Sequence, residues 1–112
     1  KKDGKLTFMV YPSGKGKYVA ICFELGLIRE GTDVLKLKTR IVTLARKYIE
    51  SVQKNNLSED LLNQTLPAKY VKRYEEYQAA KENYENVKKW QKAFESLVWM
   101  MTRKDGKLLV TK

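Results

Sequence analysis

Residues 5–11, KLTFMVY, alternate in an extended chain, with Leu6, Phe8 and Val10 on one side and Thr7, Met9 and Tyr11 on the other. A period of two predicts a strand. The stretch PSGKGK then supplies Pro12, Gly14 and Gly16, residues suited to a hairpin connection. Tyr18 to Phe23 predict the returning strand, with Tyr18, Ala20 and Cys22 opposite Val19, Ile21 and Phe23. That strand is apolar on both faces and needs cover on both. Gly26 to Gly31 predict a short third strand after a tight turn at Glu24-Leu25-Gly26, and Thr32 stands where a helix needs its N-cap.

From Val34 the period changes. Val34, Leu37, Ile41, Leu44, Ala45, Tyr48, Ile49 and Val52 recur at threes and fours, which predicts an amphipathic helix of about five turns covering one sheet face. KNNLSED interrupts the pattern, Ser58 is placed to cap a short helix through about Gln64, and Pro67 suits the first turn of another. A long helix is expected from about Ala68 to Thr102, with Tyr70, Tyr74, Tyr77, Ala80, Tyr84, Val87, Trp90, Phe94, Leu97, Val98 and Met101 at its apolar positions. Unbroken, it would reach roughly 50 Å, longer than such a domain is wide. It must bend or pair with a second copy. A homodimer is therefore expected, with Tyr70, Tyr74, Tyr77, Tyr84 and Trp90 as interface residues and the aromatic helix as the sheet's second cover. Asp105-Gly106 is expected to end that helix, and Lys107 to Thr111 to add a last strand.

The expected class is α+β: a small antiparallel sheet of three to four strands packed by an amphipathic helix and followed by a long C-terminal helix. Residues 1–54 make a βββα core, and residues 55–112 a helical extension of the same folded unit. At 112 residues and 43% hydrophobic, one domain with a modest core is the expectation. No apolar run approaches the ~18 residues of a membrane span, so no membrane is expected. A single cysteine, Cys22, sits inside an apolar strand, which rules out an internal disulfide and fits a reducing cytoplasm. The chain opens at Lys1 without Met, as a fragment or processed form would.

Twenty-three Lys and Arg against 13 Asp and Glu give a net charge of +10, a balance that favours an anionic partner. On the first helix, Lys36, Arg40, Thr43 and Lys47 stack at intervals of four, three and four, beside Thr39 and Arg46. Such a row can follow phosphates. The tyrosines at 70, 74, 77 and 84 are interleaved with Lys and Arg and suit packing or an interface.

Candidate chemistry is sparse. No histidine is present, so the usual neutral-pH general base and the commonest metal ligand are both missing. GKGK lacks the G-x-x-x-x-G-K-[ST] spacing of a nucleotide loop and precedes a strand rather than a helix. Glu24, Glu30 and Asp33 are the only acids near the strand-to-helix corner, too few to imply a carboxylate metal centre. No catalytic residue, metal or cofactor is expected.

At residues 16–52 the chain resembles the HicB-like antitoxin family: Gly16, Tyr18 and Ala20 match its G-x-Y-x-A strand, Glu24-Leu25-Gly26 its turn, Gly31-Thr32 its cap and Val34 onward its helix. The resemblance covers about residues 5–52 and implies a degenerate ribonuclease-H-like core that binds rather than cleaves, with a small basic toxin as partner. The chain departs from the pattern at Phe23, where the family often has proline, and in its strong positive charge. The leading expectation is a non-enzymatic interaction protein resembling such an antitoxin, binding a protein partner and self-associating. The alternative is a nucleic-acid-binding protein using Lys36, Arg40, Thr43 and Lys47.

Overall fold

The computed structural model describes residues 4–55, 57, 66–82, 96–104 and 107–110. In chain order its elements are β1 (Gly4–Gly14), β2 (Lys17–Cys22), β3 (Leu27–Gly31), α1 (Val34–Lys54), α2 (Ala68–Glu82), β4 (Leu97–Lys104) and β5 (Lys107–Val110). The strands form one antiparallel sheet, curved as a half-barrel, in the order β3-β2-β1-β4-β5. β1 is central, with Met9 opposite Ile21 of β2 on one side and Val98 of β4 on the other.

The alternation read along β1 and β2 separates two cores. Leu6, Phe8, Val10, Ala20 and Cys22 face α1, where Leu37, Ile41, Ala45, Ile49 and Val52 return at helical spacing. Trp99 of β4 joins this side, stacked on Phe8 at 5.2 Å and 5°. On the other face Val19 and Ile21 are buried under Leu66, with Tyr11, Phe23, Ile28 and Tyr70 packed around them. The two-sided apolar character of β2 is thus explained within one chain: α1 covers one face, and the start of α2 covers the other. Burying each such aliphatic side chain stabilises the fold by about 1.5–3 kcal/mol, so neither cover is dispensable.

Three expectations are corrected. Among the described residues the sheet has five strands, not three or four, and no long C-terminal helix is present. Leu97, Val98 and Met101, expected on a helix ending at Thr102, belong instead to β4, and Leu6 lies opposite Met101. The run LVWMMT is apolar at both helical and alternate spacings, and a short run of that kind does not reveal its period. What decides is β1, whose free edge needs a ladder partner for its backbone groups. Asp33, not Thr32, caps α1: its φ/ψ of −119°/113° is extended, and its carboxylate accepts from the Lys36 backbone N–H at 3.1 Å. The short helix expected at 58–64 and the residues Tyr84 and Trp90 lie outside the described residues. β4 and β5 come from the chain's second half yet share a sheet with β1.

The turn into β3 is closed by Gly26, at φ 64°, whose N–H donates to the Phe23 carbonyl at 3.2 Å. Positive φ there favours glycine. Where β2 stops, Glu24 continues its ladder by side chain. The Thr7 N–H donates to one carboxylate oxygen, at 2.6 Å, and the Thr7 hydroxyl to the other, at 2.9 Å.

Candidate functional site

α1 carries six cations, Lys36, Lys38, Arg40, Arg46, Lys47 and Lys54, against one acid, Glu50. Two contacts orient it. A Cβ on Gly31 would meet Leu37 Cδ1 at 3.4 Å, so the Leu37 side of the helix lies over β3. Lys38 Nζ stands 5.0 Å over the Trp99 ring, so the opposite flank lies over β4. Residues advance about 100° per step round a helix, and Lys36, Arg40, Thr43 and Lys47 therefore fall together on the outward side.

Lys36, Arg40 and Lys47 are exposed and Thr43 is half-buried. By the rise of a helix, Lys36 and Lys47 are about 16 Å apart. Among the described residues no acid is paired with any of these three cations. The first turn holds no acidic residue, but the Asp33 carboxylate at the N-cap accepts from the Lys36 N–H and offsets part of the positive end of the helix dipole, to which the Lys36 charge adds.

A furrow of about 630 Å³ follows the row, lined by Leu35, Lys36, Thr39, Arg40, Thr43, Leu44 and Lys47. Its volume is that of a small-molecule site, but all of its walls come from one helix. It is a channel between long side chains, and an extended ligand suits it better than an enclosed one. The Thr39 hydroxyl is already used, donating to the Leu35 carbonyl at 3.1 Å. Leu35 itself is 74% exposed.

Of the candidate tyrosines, Tyr84 lies outside the described residues. Tyr70, Tyr74 and Tyr77 lie on α2 and are half-buried, as is Arg73. Tyr70 packs on the Val19–Ile21 cluster, and Tyr74 meets Phe23 at 5.1 Å. Arg73 lies 4.8 Å over the Tyr11 ring and Lys69 4.9 Å over Tyr70. Burial first, then neighbouring Tyr70, push the Tyr11 hydroxyl's pKa up against the pull of Arg73. Burial and then Glu24 raise that of Tyr74. Both hydroxyls stay protonated at neutral pH.

The remaining candidates have structural places. Glu24 is tied to Thr7 and Asp33 to the start of α1, while Glu30 is exposed on β3 opposite Val19. No group of three or more Cys, Asp or Glu able to hold a metal occurs among the described residues. Burial pushes the Cys22 thiol up to about 12, which keeps it a protonated core group rather than a nucleophile. No helix among the described residues is long and apolar enough to cross a membrane.

Sequence reasoning passed over the β1–β2 turn, which it read as a connection alone. Lys15 and Lys17 are exposed there, and the signal was present: no acid occurs between Lys5 and Glu24. Comparison with known proteins returns no match among protein families, curated proteins or solved structures.

Proposed function

We propose that this is a binding protein rather than a catalyst, and that its ligand is nucleic acid held by phosphates along the outward face of α1. One observation carries the reading: Lys36, Arg40 and Lys47 line one open furrow with no acidic partner among the described residues. The net charge of +10 supports it at long range by steering polyanions toward the molecule.

Fluorescence anisotropy with labelled 20-mer nucleic acid tests it. Three neutralised phosphates give a slope of about −2.7 or steeper for log K against log salt, a loss of roughly 40-fold or more between 50 and 200 mM. Reversing the row with Lys36→Glu, Arg40→Glu and Lys47→Glu should abolish that binding while the exposed positions leave the fold intact. No binding by the wild type, or binding indifferent to salt, rejects the proposal.

A second reading is a protein-interaction role of the kind implied by the likeness to HicB-like antitoxins, together with self-association. Met100 and Leu109 support it, standing 43% and 47% exposed beside the sheet's β5 edge. Charge weighs against a basic partner, which a +10 surface would repel. Light scattering at micromolar concentration separates the two, since the nucleic-acid reading needs no dimer.

A further inference from the structure

β1 and β2 run past their neighbours. Pairing of β1 with β4 ends at Val10 opposite Leu97, and pairing of β2 with β3 ends at Tyr18 opposite Gly31. The two strands nevertheless continue together, Pro12 opposite Tyr18 and Gly14 opposite Lys17, with an irregularity between Pro12 and Gly14. The overhang of β1 beyond Val10 is four residues, or about 13 Å at strand rise. Residues 13–17 at its tip are all exposed, and among the described residues nothing lies within 4 Å of a Cβ built on Gly14 or Gly16. The tip is a short exposed ribbon carrying Lys15 and Lys17.

Its base is braced and its position is fixed. Tyr11, at the start of the overhang, is covered by the Arg73 guanidinium of α2. Tyr18 lies beside Gly31, and Gly31 lies beneath Leu37 in the first turn of α1. The ribbon and the N-terminal half of the Lys36–Arg40–Lys47 row therefore emerge at the same end of the sheet from segments distant in sequence.

We infer that the β1–β2 tip is a second contact arm of the nucleic-acid surface, and that the ligand is a duplex, gripped by α1 along one stretch of backbone and by Lys15 and Lys17 at another. The inference rests on the α1 reading above. Single-strand binders interleave their cations with exposed aromatic rings on which bases stack. Neither the outward face of α1 nor the tip presents an aromatic residue: the half-buried rings of Tyr11, Tyr18 and Trp99 pack against the two cores. Cations on two separated elements, without stacking rings, match backbone geometry instead.

The test compares the full chain with Lys15→Gln/Lys17→Gln on 20-base-pair DNA and RNA duplexes and on their separate strands. The expected wild-type slope on duplex DNA is about −4.5, for five phosphates, falling to about −2.7 in the double variant, with affinity at 0.1 M salt lower by roughly tenfold or more. Either duplex should bind at least roughly tenfold tighter than its single strands, and the tighter of the two names the source of the backbone. Unchanged slope and affinity in the double variant, or single strands bound as tightly as duplexes, overturn the inference. If the α1 reversals still abolish binding, the function proposed for that helix stands. Loss of all wild-type binding instead removes the α1 reading itself.

Discussion

Glu24 shows how one side chain can close a gap in a sheet. β2 ends at Cys22, yet Thr7 opposite that end keeps both its N–H and its hydroxyl satisfied by the two Glu24 oxygens. Hydrogen bonds to a charged acceptor contribute about 1.5–3 kcal/mol, and a part-buried N–H left without a partner adds a desolvation cost. Glu24→Ala should therefore destabilise the fold by roughly 2–3 kcal/mol in urea unfolding, with Glu24→Gln losing less because it keeps an acceptor. Indifference to both would show that water replaces the carboxylate at no cost. In the sequence, Glu24 reads only as an acid near a turn, because its partner is 17 positions away.

At the scale of the element, α1 was legible almost residue by residue. Its buried stripe of Leu37, Ile41, Ala45, Ile49 and Val52 is the stripe its periodicity predicts, since a helix displays its pattern locally. The cap differed by one position, because Thr32 and Asp33 are both competent N-caps and only the observed backbone decides between them. Asp33→Ala should cost about 1 kcal/mol of stability, within the 0.5–2 range for lost caps. Thr32→Ala should be close to neutral, and the reverse order in paired thermal melts would return the cap to Thr32. The second half was read less well. α2 has a half-buried side of Tyr70, Arg73, Tyr74 and Tyr77 where a helix was expected, but the same expectation ran on through Leu97 to Thr102, which belong to β4.

For the molecule as a whole, +10 on 112 residues is self-repelling. α1 concentrates that charge with a single acid to relieve it. Raising salt from about 10 to 150 mM shortens the Debye length from roughly 30 to 8 Å. Calorimetry should show the melting temperature rising by a few degrees across that range. The triple reversal at Lys36, Arg40 and Lys47 exchanges three positive charges for three negative, taking +10 to +4, and should flatten the rise. A wild-type melting temperature that falls with salt would mean attractive surface pairs outweigh the repulsion. The cations an anionic ligand would neutralise on this reading are those that cost the free protein stability.

The sequence by itself determined the hairpin of β1 and β2, the β3-to-α1 corner, the face that α1 buries and the cationic row on its outward side, because each follows from residues within a few turns or one hairpin of each other. Only the tertiary structure decided that β1 is central and that residues 97–104 are its second neighbour. It also decided that Leu66 and α2 shield the far side of β2 and that the basic tip stands at the same end as the start of α1. Those outcomes depend on pairing segments some ninety positions apart, as with Leu6 and Met101, where backbone hydrogen bonds and burial across the sheet outweigh a local period that fits helix and strand alike.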